Sequence, residues 1–408
     1  MTKAEKRPPR RSKILVLSLH YKPEPNFITA DVAEAWAAKG SKVTVITVHP
    51  NYPTGKFYPG TNPWRITRTV LNGVTIWRLP YYTDHSLSPV RRALSYVSYA
   101  VVAGILAPLI GGRPDTVWAY HGPFMTALPA LFFKWIYGSR LIYTCADLWP
   151  ESFVASNLSL PRPAMRLLYA YSRWINKQAD ILLCSTRGTA ERYEKDGVSA
   201  DKLQYVPVWV EGISDIQLTE SAGTSGIPNI VYAGNLGAAQ PVECLVRAAS
   251  ILQKAGVEVI VDIFGSGNRE RELREIVERD GVANVHFHGR VSPQRAFEAS
   301  ARATAQVVFL RPSPLFRMSV PSKLSFCFAA GTPLLYGLEG ESARIAAETG
   351  GAIPFVAEDP ASLVAAIRKL LATPPPEREA MRGRLRSYYE NNFAREALLD
   401  QYVRLVPP

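Results

Sequence analysis

Unbroken apolar runs, rather than alternating ones, punctuate the first half of the chain. KILVLSL (13–19), KVTVITV (42–48), VTIWRL, DTVWAY, RLIYTC, DILLCS and LQYVPV carry the series to about residue 208. Runs of this kind are strands covered on both faces, so they predict a mostly parallel sheet. FITADVAEAWAAKG, between the first two, reads as a helix ending at Gly40. After a Ser-, Thr-, Gly- and acid-rich stretch (213–227) that reads as a linker, the pattern restarts. NIVYAG (229–234), EVIVDIF (258–264), NVHFHG (284–289), QVVFL, PLLYG and AIPF follow. Between them, a helix from Pro241 to about Gly256 sets Leu245, Val246, Ala249 and Leu252 on one face, and RERELREIVERDG makes a charged helix. The expected fold class is α/β, with two successive doubly wound domains at 13–212 and 213–391. Residues 392–408 are expected to form a helix that could fold back on the first domain.

One stretch, VPSKLSFCFAAGTP (320–333), is apolar almost all the way round and therefore a buried helix. Ser322 is its expected N-cap, and Gly331 with Pro333 its stop. A lysine in its first turn, Lys323, is poorly placed for the helix dipole unless an anion lies in front of it.

Composition changes this picture in three places. A chain of 408 residues with 47% hydrophobic and 20% charged residues is globular and too long for one core. The single cysteines Cys145, Cys184, Cys244 and Cys327 sit in apolar runs with no CxxC pair, as reduced core residues do. The net charge is +12, and residues 1–13 alone hold six basic residues against Glu5, a net of 6 − 1 = +5. Residues 1–12 are therefore expected to be a disordered basic arm. The longest apolar run, AVVAGILAPLIGG (100–112), is too short to span a bilayer and follows Arg91 and Arg92. It reads either as a helix lying on an anionic membrane surface or as a buried helix of the domain. Aromatic–basic interleaving is absent, so no nucleic acid partner is expected. The six histidines form no HExxH-like ligand set, so no metal is expected.

Ligands of doubly wound sheets bind beyond the carboxyl ends of the strands. Asn235 and Gly237 follow NIVYAG, Gly265, Ser266 and Gly267 follow EVIVDIF, and Ser322 and Lys323 open the buried helix. Exposed backbone N–H groups at such ends bind phosphate. In the first domain Asp147 and Glu151 follow RLIYTC, and His121 follows DTVWAY at the neighbouring strand end. A turn or capping role remains open for both carboxylates.

The order of motifs resembles the family 4 retaining glycosyltransferases of GT-B fold, in their bacterial surface-polysaccharide (O-antigen and colanic-acid type) branch. YKPEPN (21–26), HPNYPTGKFYPG (49–60), DLWPES (147–152), GNLGAAQ (234–240), FGSGNR (264–269), VPSKL (320–324), AAGTP (329–333) and EGES (339–342) appear in family order. The resemblance implies two facing Rossmann-like domains with a cleft between them. It implies a nucleotide-diphosphate sugar, a UDP-sugar among the candidates, as substrate of the second domain, with no cofactor. A lipid-linked sugar would be the acceptor, at the inner face of the cell membrane from the cytoplasmic side. Asp147, Glu151 and His121 would serve the chemistry. Asn235, Ser322, Lys323 and Arg317 would hold the diphosphate, Gly237, Gly265, Ser266 and Gly267 would admit it, Arg290 and Val291 would neighbour the base, and Glu341 of EGES would complete the donor site. Met318 and Phe326 stand where many members carry glutamates. A nucleotide-sugar 2-epimerase and a non-catalytic partner of the same fold are the alternatives.

Overall fold

Strands and helices alternate as continuous apolar runs require. In the first half β1 (Lys13–Leu17), α1 (Phe27–Ala38), β2 (Lys42–Val48), β3 (Thr67–Leu71), β4 (Val74–Leu79) and α2 (Pro89–Ile110) come first. They are followed by β5 (Thr116–Tyr120), α3 (Ala127–Tyr137), β6 (Arg140–Cys145), α4 (Arg162–Gln178), β7 (Ile181–Cys184), α5 (Arg187–Lys195) and β8 (Leu203–Tyr205). The computed structural model describes residues 11–25, 27–52, 54–84, 88–120, 124–146, 148–151, 161–210 and 226–406. The expected basic arm at 1–12 falls almost wholly outside these residues, as do most of the linker, His121 and Asp147.

The first sheet runs β3-β4-β2-β1-β5-β6-β7-β8. Its pairs are parallel except β3–β4, an antiparallel edge that the apolar pattern does not reveal. The reason is visible in TRTVL, whose residues lie at or near the surface rather than in the core. The step from β1 to β2 runs one way across the sheet, while β4 to β5, β5 to β6 and β6 to β7 run the other. Right-handed crossovers therefore place α1 on one face and α2, α3 and α4 together on the opposite one.

In the second half β9 (Asn229–Ala233), α6 (Val242–Lys254), β10 (Ile260–Phe264), α7 (Glu270–Arg279), β11 (Val285–Gly289) and α8 (Pro293–Arg302) come first. Then follow β12 (Ala305–Phe309), α9 (Pro314–Arg317), α10 (Ser322–Ala330), β13 (Leu334–Gly337), α11 (Gly340–Glu348) and β14 (Ala352–Pro354). The helices α12 (Pro360–Ala372), α13 (Pro375–Asn392) and α14 (Arg395–Arg404) close the chain. The sheet order is β11-β10-β9-β12-β13-β14, all parallel. Both sheets are thus doubly wound, and strand reversal beside β1 and beside β9 gives each a switch point where a ligand can bind.

By contacts the chain divides into one unit of Met1–Val206 with Glu396–Pro408 and another of Pro207–Arg395. The last helix, α14, belongs to the first unit. The Trp36 indole N–H donates to the Tyr402 carbonyl (3.0 Å), and Trp118 packs edge-on against Trp36 and tilted against Tyr402. All three rings are buried. α10 differs from expectation at its start. Ser322 is the first helical residue, Pro321 occupies the cap position, and no side chain caps the end. Gly331 closes it in the left-handed conformation (φ 63°), as Gly-Thr-Pro requires.

Candidate active site

At the carboxyl edge of the second sheet, the ends of β9, β10 and β11 are stitched together by backbone. The Gly234 N–H donates to Phe264 O (2.8 Å), the Leu236 N–H to Ser266 O (3.0 Å) and the Gly265 N–H to Gly289 O (2.8 Å). A Cβ on Gly265 would overlap the Gly234 carbonyl, and one on Gly267 would overlap that of Leu236. These two positions need glycine because two main chains touch there. The Asn235 carbonyl accepts from the Tyr232 hydroxyl (2.7 Å), leaving the exposed Asn235 side chain above Gly237. Val291 packs beside Phe264, Val231 and Ala303, with Arg290 exposed next to it.

Lys323 enters this strip from the first turn of α10. Its ammonium lies 3.9 Å from the centre of the Tyr232 ring and against Gly234, where any Cβ would collide with Nζ. Among the described residues it has no carboxylate or hydrogen-bond partner. Burial pushes its pKa down to about 8, with Cys327 one turn below acting weakly the other way. Lys323 is thus a cation held on a ring face with no acid beside it among the described residues. Sequence reasoning found Lys323 but not Tyr232, because the aromatic looks like any core position of NIVYAG until the lysine lies over it.

A second group forms around α9 and α11. Arg317 pairs through Nε with Glu339 (2.8 Å), and its backbone is so close to Gly340 that no Cβ would fit there. Glu341 is buried in the first turn of α11. Among the described residues no hydrogen bond or ion pair joins this group to Lys323. Phe326 packs edge-on against Phe297 at 5.4 Å, so an apolar pair occupies that turn of α10.

The loop GNLGAAQ is also gripped from its outer side, by Arg269, which closes FGSGNR, and by Arg311, which lies in none of the motifs. The Arg269 N–H donates to Leu236 O (3.0 Å), and the Arg311 N–H and Nε donate to Ala239 O (2.9 Å) and Ala238 O (2.8 Å). Glu243 holds both guanidinium groups, accepting from Arg269 (2.8 Å) on one oxygen and from Arg311 on the other. Arg311 reaches Glu358 as well.

In the first unit the carboxyl edge is organised by Glu24 of YKPEPN. Its buried carboxylate accepts from the Asn51 N–H and Tyr52 N–H (both 2.7 Å), the Tyr21 N–H (3.3 Å) and His20 Nδ1 (3.2 Å). Burial opposes the charge, but these bonds and His20 hold its pKa below the usual carboxylate value. Asn51 accepts from Tyr81 (2.9 Å) and Thr83 (3.0 Å), and His49 is buried with Nε2 on Arg65 O (2.7 Å). His49 is thus a structural residue of the loop. Glu151 forms an ion pair with Arg192 (3.2 Å), which also holds Asp196 (3.1 Å). Among the described residues no group of three metal-ligating side chains occurs.

Comparison with known proteins gives the same two-part division. Residues 25–209 match a glycosyl transferase 4-like domain, and residues 227–373 match glycosyl transferases group 1. The chain is 25% identical over 413 residues to the Escherichia coli (strain K12) protein described as a colanic acid biosynthesis glycosyl transferase, WcaI, covering 96% of this chain and 98% of that one. Its fold is that of the Thermosynechococcus elongatus sucrose-phosphate synthase (TM-score 0.73, 16% identity, 97% and 98% of the two chains). It is also that of Anabaena HepE, solved with UDP-glucose (TM-score 0.65, 12% identity, 96% and 98%). The architecture is therefore GT-B.

Proposed function

From its membership of the glycosyltransferases with a family 4-like first domain and a group 1 second domain, we propose that this chain moves a sugar, with retention, from a nucleotide-diphosphate donor to a lipid-linked acceptor in surface polysaccharide biosynthesis. The observation that carries this reading is Lys323, a cation without an acid among the described residues, set on Tyr232 against the Gly234–Gly265 backbone contact. As the bond from the anomeric carbon to the diphosphate oxygen breaks and the bond to the acceptor oxygen forms, negative charge grows on the departing nucleoside diphosphate, which takes the acceptor hydroxyl's proton. A prepositioned ammonium and helix N–H groups stabilise that charge without reorganising. Asn235, Ser322 and Arg317 are the further diphosphate contacts in this reading, Ser266 with Gly265 and Gly267 borders the nucleotide, and Arg290, Val291, Gly237 and Glu341 complete the donor side. Asp147, Glu151 and His121 act on the acceptor side. The solved HepE–UDP-glucose complex supports a UDP-sugar as the first donor to try.

Calorimetric titration with UDP, GDP and a panel of their sugars, without added metal, tests it on the wild type and Lys323→Ala. Micromolar binding that the substitution weakens by about 1–3 kcal/mol, the scale of a charge-assisted contact, is expected. Absence of any nucleotide binding would sink the donor assignment. The apolar Phe297–Phe326 pair then favours a non-catalytic partner, because it puts no carboxylate on that turn of α10.

A further inference from the structure

The outward side of α2 is apolar and bare. Val90, Leu94, Val97, Val101, Ile105 and Leu109 recur at spacings of three and four, and each is 39–76% exposed. The inward side, Ser95, Tyr99, Ala103 and Ala107, is buried on the sheet. A helix fixed to its own domain along one side is not free to cross a bilayer, although by length and hydropathy alone it qualifies. α2 packs against α3 and α3 against α4. Across the α3–α4 seam two exposed tryptophans, Trp135 and Trp174, meet with ring centres 6.2 Å apart. The apolar surface thus continues over three helices of one face.

The charge on these three helices is one-sided. The sequences of α2, α3 and α4 contain Arg91, Arg92, Lys134, Arg162, Arg166, Arg173 and Lys177 and not one Asp or Glu. Lys134 pairs with Asp180. Arg162, Arg166 and Arg173 are exposed and have no acidic partner among the described residues. This is not a general habit of the chain, since on α7 Arg271, Arg274 and Arg279 all pair with neighbouring acids. Apolar residues flanked by unpaired arginines match a layer with acyl chains below anionic phosphates. A second copy of the same face would bring like charges together.

We infer that the outer face of α2, α3 and α4 seats the first unit on an anionic phospholipid surface, with the α2 stripe and the two tryptophans among the headgroups and the α4 arginines on the phosphates. This deepens the reading of a lipid-linked acceptor and rests on it for its purpose, but it is measured without turnover.

The test is cosedimentation of the full chain with vesicles of phosphatidylcholine alone or with phosphatidylglycerol. Binding about thirtyfold tighter to the anionic vesicles is expected, the effect of two basic residues at roughly 1 kcal/mol each. Arg162→Gln with Arg166→Gln and Arg173→Gln is expected to remove most of that preference. Ile105→Ser with Leu109→Ser is expected to weaken binding to both vesicles, and brominated lipid to quench Trp135 and Trp174 fluorescence. Unchanged nucleotide binding shows that the variants are folded. Failure to bind vesicles, binding indifferent to both sets of substitutions, binding lost with residues 1–12 alone, or a dimer that Ile105→Ser and Leu109→Ser dissolve would each overturn the inference. A wild type that binds these vesicles but no nucleotide would instead count against the donor reading.

Discussion

Two ionisable residues carry opposite burdens. Lys323 is a cation with no acidic partner among the described residues, and with its pKa near 8 it is charged at neutral pH and neutral in alkali. A bound diphosphate favours the charged form and raises that pKa. Affinity is therefore expected to be flat below pH 8 and to fall as pH rises through 8, with proton uptake on binding in that window. Calorimetry from pH 6.5 to 9.5 in buffers of different ionisation enthalpy measures both, and Lys323→Met should abolish the slope. Glu24 is the reverse, a buried anion with every acceptor position engaged. Its folded-state pKa lies below the ordinary value of 4.5, so its stabilising effect is present above that pH and is lost as pH falls through the folded pKa. Glu24→Ala strands three N–H donors and is expected to cost about 3 kcal/mol in urea unfolding. Of these residues, Lys323 was legible because its position in a buried helix is odd. The work done by Glu24 was not, since its partners Asn51 and Tyr52 lie a whole βαβ unit away.

At the level of elements, loops rather than helices shape the carboxyl edge of the second sheet. GNLGAAQ is pressed on one side by Gly265 and Gly267 and tied on the other by Arg269 and Arg311, which Glu243 couples. Gly265→Ala must force two main chains apart at a φ of 136°, and a loss of nucleotide affinity exceeding about tenfold with about 2 kcal/mol of destabilisation is expected. Glu243→Ala leaves two arginines facing each other, and calorimetry should show weaker nucleotide binding with the fold retained. Continuous apolar runs made both sheets readable, because burial on both faces writes itself into composition. β3 escaped for the opposite reason, its residues being largely exposed on an edge. The cap of α10 was misplaced by one residue because serine and proline both suit a helix start.

For the molecule as a whole, the pairing of charge differs by region: acids answer arginines along α7, whereas α2, α3 and α4 have none to offer. Bulk net charge does not say where the unpaired arginines lie. That required the crossover directions that gather three helices on one face. The return of α14 to the first unit is equally a property of the whole. Truncation after residue 394 removes the acceptor of the Trp36 indole and uncovers Trp118, and a lower melting temperature of the first unit is expected by calorimetry.

That return also orders events during synthesis. The chain leaves the first unit at Val206 and re-enters it at Glu396, so residues 207–395 form an insertion. On a ribosome the inserted unit has all its strands before its host has its last helix. The face holding Trp36 and Trp118 stays uncovered until α14 emerges, which makes the nascent host, and not the insertion, the natural client of a chaperone.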